Sequence, residues 1–495
     1  MLLTIIFLIV YFLDILFLFL YGMHTYFMIY FYKKHYSQCS LKKYSFKKYP
    51  NVTIQLPVFN EKYVLQRLVK KVIEMDYPKT KKEIQILDDS TDETLDLSKK
   101  LVKKYKKLGF DIKLLHRTKR TGHKGGALRE GLVKAKGEFL AIFDADFLPA
   151  KNFLKATVPY FLEDSKIGMV QTRWGHVNAD YSLLTRAQAI GVDGHFIIDQ
   201  VARSGSNFFM NFNGTAGIWR KTCIIDAGNW QDDTLTEDFD LSYRAELKGW
   251  KFKYIKDVVN PAELPVQVSA YKSQQFRWAK GSIQTGVKLM GKILKSKQPF
   301  LVKLEALVHL TYYSIHPLMV LNVLLTVPAM HMNFLFSHYV GLFMIATFFG
   351  IATFGPFVFY GFSQYILYDN WKKKIKWVPL MTLVGTGIAI NNTHAFLEAI
   401  IGKKSEFIRT PKLGIKSKKQ SWKNSNYKIS ISFISFLELF LGLYALYGVF
   451  VGFVFHRLLA VPFLLIYATS FLYIFILTLV QEGVFSKKIK ISQTS

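Results

Sequence analysis

Two long apolar regions, one at each end of the chain, limit what it can fold into. Residues 2 to 30 are nearly all Leu, Ile, Phe and Tyr. At about 1.5 Å per residue, a helix of that length crosses the roughly 30 Å of hydrocarbon in a bilayer. No basic residue precedes the block and no small-residue cleavage site follows it, so it reads as an anchor rather than a cleaved signal. Lys33, Lys34, Lys42, Lys43, Lys47 and Lys48 come next. That excess of Lys places the flank in the cytosol and the N-terminus outside. Further spans are expected at 304–330, 337–366, 429–453 and 458–480. The link from His331 to His338 carries no Lys or Arg and suits an external loop, whereas 372–376 and 403–428 are rich in Lys and suit the cytosol. Block 377–400 is apolar enough to span but carries Asn391, Asn392, Thr393, His394 and Glu398 between two cytosolic links. It reads as interfacial or re-entrant. The expectation is a multi-pass membrane protein with five spans and a cytosolic tail at Lys487–Lys490.

Composition agrees. The 495 residues are 51% hydrophobic, which excludes disorder, and Cys39 and Cys223 are too few for a disulfide scaffold or a cysteine-built zinc module. The net charge of +30 fits the topology signal and a surface facing anionic lipid better than it fits nucleic acid. Asp14, inside the first span, is costly in lipid and either lines a polar path, sits near the outer interface or faces another helix.

Between the apolar regions lie about 250 water-compatible residues, 50–300. Short β-rich runs at Val52–Leu56, Glu83–Leu87, Asp111–Leu115 and Phe139–Phe143 alternate with helical stretches at Lys62–Met75, Thr91–Leu108 and Gly126–Lys136. That alternation predicts an α/β domain with a parallel sheet, in which ligands bind beyond the carboxyl ends of the strands. Polar motifs stand at those ends: Pro57-Val58-Phe59-Asn60-Glu61, Asp88-Asp89-Ser90 and Asp144-Ala145-Asp146. Two carboxylates in Asp-x-Asp at a strand end can converge on Mg²⁺ or Mn²⁺ while leaving positions for phosphate oxygens. Arg120-Thr121-Gly122-His123-Lys124-Gly125-Gly126 precedes a helix, where basic side chains and glycines can cradle a diphosphate. Thr236-Glu237-Asp238 opens a helical run, Phe239–Leu247. Tyr271–Ile283 holds Gln274-Gln275-Phe276-Arg277-Trp278. An Arg beside a Trp suits a phosphate and a sugar face, though the stretch also reads as an amphipathic helix on the membrane.

In this order the motifs resemble a processive, membrane-integrated family 2 glycosyltransferase of the cellulose synthase and glucomannan synthase group. The shared pattern is Asp88-Asp89, Asp144-Ala145-Asp146, Thr236-Glu237-Asp238 and Gln274-Gln275-Phe276-Arg277-Trp278. Arg120–Leu128, Val170–Trp174 and Phe212–Gly217 resemble the mannan-type branch, and Phe407 to Lys412 resembles the gating loop. Arg409 departs from the valine often found there.

The resemblance implies a cytosolic GT-A (Rossmann-like) glycosyltransferase domain, 50–300, inserted between a transmembrane helix, 1–32, and transmembrane helices, 301–485, with a gating loop at 402–428. It implies an inverting transfer from UDP-glucose or GDP-mannose to a growing β-linked polysaccharide, which leaves through the membrane. Asp238 would be the base, with Glu237 beside it. Asp88, Asp89, Lys124, Asp144, Gln274 and Arg277 would bind the donor. Trp278, Gly214 and Thr215 would meet the acceptor. Asp144 and Asp146 would hold Mg²⁺ or Mn²⁺, and Phe407, Thr410 and Lys412 would gate. Its partners would be the nucleotide sugar, the glycan and the bilayer, and no nucleic acid. Glucosylceramide synthases share the ordered aspartates, so transfer to a membrane lipid is the alternative.

Overall fold

The computed structural model describes residues 2–41, 44, 46, 48–332, 348–405, 410–417, 420 and 432–481. Phe407, Arg409, the Lys487–Lys490 tail and parts of the expected 337–366 and 429–453 segments lie outside them. Seven strands form one sheet: β1 Val52–Val58, β2 Lys82–Asp88, β3 Asp111–His116, β4 Phe139–Ile142, β5 Ile167–His176, β6 Gly217–Arg220 and β7 Lys251–Ala262. Their order is β3-β2-β1-β4-β6-β5-β7. The chain begins with α1 (Leu2–His35), and α2 (Leu65–Ile73), α3 (Thr94–Lys107) and α4 (His123–Lys134) link the first strands. Next come α5 (Phe153–Glu163), α6 (Leu183–Gly194), α7 (Gln200–Ser206), α8 (Lys221–Asp226), α9 (Glu237–Leu247) and α10 (Val268–Lys295).

The expectation of a parallel sheet needs correction. β6 runs antiparallel to both its neighbours, β4 and β5, while the other six strands share one direction. The reason is topological. The chain leaves β5 at the carboxyl edge, forms α6 and α7, and re-enters the sheet from that same edge, so β6 must run back.

Every residue of β1 and β2 is buried, and successive side chains serve opposite faces. Ile54, Ile84, Phe139 and Ala141 pack into one core with α2, α3 and α5. Leu87, Leu140, Ile142 and Trp219 pack into another that includes Met28, Ile29 and Tyr32 of α1. The N-terminal helix is thereby fastened to the sheet. Polar side chains inside the sheet pair across strands: Thr53 donates to Glu83 at 2.5 Å and Gln55 to Gln85 at 3.0 Å. Such pairing lowers the penalty of burying them.

Among the described residues, four helical segments are long and apolar enough to cross a membrane: Leu2–Cys39, Phe300–His331, Phe433–Val454 and Val461–Gln481. Asp14 faces another helix, accepting from Asn322 at 2.9 Å. The block at 377–400 forms two helices, Val378–Gly387 and Ala389–Ile400, broken at Ile388. Asn391, Asn392 and Glu398 turn inward, while His394 stays exposed. Asn391 donates to the Lys272 carbonyl at 3.0 Å, and Lys280 of α10 reaches Glu398 at 2.8 Å. Lys272 in turn meets Glu438 at 2.7 Å. Helix α10 is therefore clasped by the C-terminal helices through buried ion pairs rather than lying free on a lipid surface.

Candidate active site

One edge of the sheet collects the polar motifs. The carboxyl ends of β1, β2, β4, β5 and β7 face it, and so does the amino end of β6, because that strand is reversed. The reversal delivers Asn213-Gly214-Thr215 to the same edge as Asp144. Thr215 is buried, and its hydroxyl accepts from the Asp144 backbone N–H at 2.9 Å, tying that loop to the Asp-x-Asp turn.

At the end of β2, Asp88 is fully buried. Its carboxylate accepts from the Ser90 N–H at 2.7 Å and from the Ser98 hydroxyl. Asp89 is gripped by Arg117 through Nε at 2.7 Å and Nη2 at 2.5 Å. Arg117 also donates to the carbonyls of Thr121 and His123, at 3.0 and 2.8 Å, so it shapes the turn that leads to Lys124. The Arg120 guanidinium stacks over Phe59 at 3.6 Å. Phe59 belongs to the motif that follows β1, whereas Arg117 was not singled out from the sequence. The signal for Arg117 was its position just past the carboxyl end of β3.

Lys124, in the first turn of α4, reaches Asp144 at 2.6 Å and donates to the Gly214 carbonyl at 3.0 Å. Burial works against its charge, but Asp144, Glu237 and Asp238 outweigh that and hold its pKa above the ordinary value. Asp146 is buried and paired with Lys412 at 2.6 Å. Thr410 accepts from Arg277 at 2.8 Å. The described part of the expected gating segment thus reaches this edge of the sheet. Its anchor is Glu263, just past β7, which accepts from the Leu413 and Gly414 N–H groups at 3.0 and 2.9 Å and pairs with Arg67 at 3.3 Å. Glu263 is another residue not singled out from the sequence, although it occupies a strand end like the others.

Glu237 and Asp238 form the first turn of α9, where the helix dipole favours negative charge. Burial first, and then the charge of Glu237, push the Asp238 carboxyl up to about 7 against the opposing charge of Lys124. Glu237 is raised too, first by burial. Gly214, at φ +78°, lies so close that a Cβ on it would stand 2.9 Å from Asp238 Oδ2. Helix α10 approaches through Gly281, where a Cβ would meet Thr236 Oγ1 at 2.4 Å. Arg277 is pulled below its ordinary pKa by burial, against the field of Glu237, Asp144 and Asp238. Gln274, Arg277 and Trp278 are spaced to share one face of α10, and all three are half-buried.

Asp144 and Asp146 have the hard oxygen donors that Mg²⁺ or Mn²⁺ takes. Such ions commonly use one or two carboxylates together with substrate phosphates. Each of the two aspartates already attracts a cation, Lys124 or Lys412. Among the described residues, the acids Asp144, Asp146, Glu237 and Asp238 are met there by Lys124, Lys412 and Arg277. An entering diphosphate adds further negative charge, so a divalent ion on these carboxylates suits the charge balance.

Residues 50–281 match the family model described as glycosyltransferase like family 2. A probable glucomannan 4-beta-mannosyltransferase 11 from Oryza sativa subsp. japonica is 46% identical over 255 residues, covering 50% of this chain and 45% of that protein. Glucomannan 4-beta-mannosyltransferase 1 from Cyamopsis tetragonoloba is 42% identical over 271 residues, covering 54% and 52%. The chain spans about half the length of these relatives. Among solved structures, the mannosyltransferase PcManGT of Pyrobaculum calidifontis, in complex with GDP-Man and Mn²⁺, shares the fold. It has a TM-score of 0.50 and 18% identity, over 80% of this chain and 100% of that one. The sheet, the edge motifs and the sequence relatives agree: residues 50–281 form a glycosyltransferase family 2 domain.

Proposed function

We propose that the chain is a membrane-integrated inverting glycosyltransferase that adds mannosyl units from GDP-mannose to a growing β-linked polysaccharide. The observation that carries this reading is the Asp238 carboxyl, raised to about 7 and set between Lys124 and Gly214 at the strand-end edge. A base near neutrality accepts a hydroxyl proton efficiently. The acceptor hydroxyl loses its proton to Asp238 and attacks the anomeric carbon from the face opposite the diphosphate. The nucleoside diphosphate leaves, and its charge is met by Lys124 and Arg277. A divalent ion held by Asp144 and Asp146 would add Lewis-acid charge at the diphosphate. The choice of mannose rests on the names of the sequence relatives.

The polymer reading is supported by the segment carrying Thr410 and Lys412, which touches Arg277 and Asp146. On this reading the catalytic block and the tail are cytosolic, the N-terminus is outside, the spans number five, and 377–400 lies at the interface. The glycan leaves through the membrane helices.

Purified chain in vesicles, given radiolabelled GDP-mannose or UDP-glucose with Mn²⁺, tests this. The expected product is alcohol-insoluble label from GDP-mannose that a β-mannanase digests. Label in organic solvent would replace the polymer with a lipid acceptor. Asp238→Asn is expected to lower turnover by about 10²–10⁴-fold while leaving donor affinity nearly unchanged. Normal turnover in that variant would remove the base.

A further inference from the structure

A second site is built where the catalytic block meets the membrane helices. A cavity of about 340 Å³ lies between α6 and the segment that runs from the helix Gly355–Leu367 through the short helix Trp371–Lys374 to Trp377. None of its lining residues belongs to the catalytic edge. Four cations line it, Arg186, Lys373, Lys374 and Lys376, against two carboxylates, Asp180 and Asp193.

Both carboxylates are already engaged. Asp180 accepts from Arg186 at 3.2 Å. Asp193 is buried beneath the cavity, paired with His176 at 2.8 Å, and accepts from Tyr368 at 2.9 Å and Gln364 at 3.1 Å. The three lysines are left over. Lys374 lies 4.3 Å from the centre of the Tyr368 ring and Lys376 5.2 Å from that of Trp377, and among the described residues none of the three is within salt-bridge distance of a carboxylate. Arg186 covers the Trp377 ring at 4.8 Å, so one indole carries two cations at the mouth.

The surroundings point to a bilayer surface. The apolar helix Gly355–Leu367 ends here, and Tyr365 and Ile375 beside the cavity are exposed. Tyr and Trp gather where hydrocarbon meets headgroups, and basic pockets there bind anionic heads. We propose that this cavity binds the phosphate headgroup of an anionic phospholipid, with Lys373, Lys374 and Lys376 as the charge and Trp377 as the wall. Because Asp193 ties α6 to Gln364 and Tyr368, a lipid seated here holds the catalytic block against the bilayer surface.

The test is binding, so it stands apart from sugar transfer. Full-length chain in neutral detergent is titrated with phosphatidylserine, phosphatidylcholine or inorganic phosphate, and bound molecules are counted by native mass spectrometry. One phosphatidylserine is expected to be retained at concentrations where phosphatidylcholine is not. A juxtamembrane lysine is worth about a fivefold change. The triple variant Lys373→Gln, Lys374→Gln, Lys376→Gln should therefore lose affinity by about 100-fold. The control Lys104→Gln, Lys106→Gln, Lys107→Gln on α3 removes the same charge from an exposed face and should change little. Equal losses in the two triple variants, equal binding of both lipids, or phosphate binding without phosphatidylserine binding would each overturn the proposal.

Discussion

Two pairs of carboxylates stand at strand ends on either side of β1, and they are held in opposite ways. At the end of β2, the partners of Asp88 and Asp89 are the Ser90 N–H, the Ser98 hydroxyl and the two-pronged grip of Arg117. At the end of β4, Asp144 meets Lys124, while Asp146 meets Lys412 from beyond the membrane-facing helices. The difference is chemical. A guanidinium fork fixes a carboxylate's orientation, whereas an ammonium on a flexible stem is a point charge that another cation can replace. The β2 pair therefore behaves as a wall, and the β4 pair as a place where cations exchange.

The largest expected effect tests the exchanging side. Asp146→Ala removes the partner of Lys412 and one ligand of the proposed ion. Outer-shell groups alone cost about 10–100-fold in metal affinity, so a direct ligand should reach the top of that range or pass it. Calorimetry of GDP with and without Mn²⁺ would show metal-dependent affinity collapsing. Unchanged affinity, or activity without metal, would end the comparison. The wall is tested by Asp88→Ala, which strands a buried N–H and a buried hydroxyl. The expected loss is about 1–3 kcal/mol of stability, seen as a lower thermal midpoint with GDP affinity largely kept. A stable variant that no longer binds GDP would move Asp88 from the framework into the donor site.

Much of this edge was legible because its signals are local. The strands β1 to β4 follow from short apolar runs between helical stretches, and parallel strands place their carboxyl ends together, so Asp89, Asp144 and Asp146 could be grouped without coordinates. The reversed strand was not legible. Gly217–Arg220 is four residues long, and nothing in its composition records which edge the chain enters from. Glu263 and Arg117 were hidden for a related reason. Each acts by holding a loop whose neighbourhood is created by the fold, and the Glu263 contact with Leu413 joins residues 150 apart. The polar residues of 377–400 resisted a purely membrane reading because their partners, Lys272 and Lys280, lie on a helix more than a hundred residues earlier.

The smallest expected effect falls where both kinds of carboxylate environment meet, at Glu237 and Asp238. Burial first, then Glu237, push the Asp238 carboxyl up to about 7, with Lys124 opposing. As a base it must be ionised, so kcat should rise with pH through about 7. The folded state keeps this proton at pH values where the unfolded chain has lost it. The group's contribution to stability therefore falls as pH rises from the ordinary carboxylate range to about 7. Glu237→Gln removes a neighbouring negative charge and should move the acid limb of the kcat profile to lower pH. The move should be a fraction of a unit, one unit being about 1.4 kcal/mol. Because the two acids titrate together, the limb belongs to the pair in the parent chain and to Asp238 alone in the variant. A limb that stays in place, or moves up, would mean that the field at Asp238 is set by Lys124 and Asp144 rather than by its neighbour in the helix.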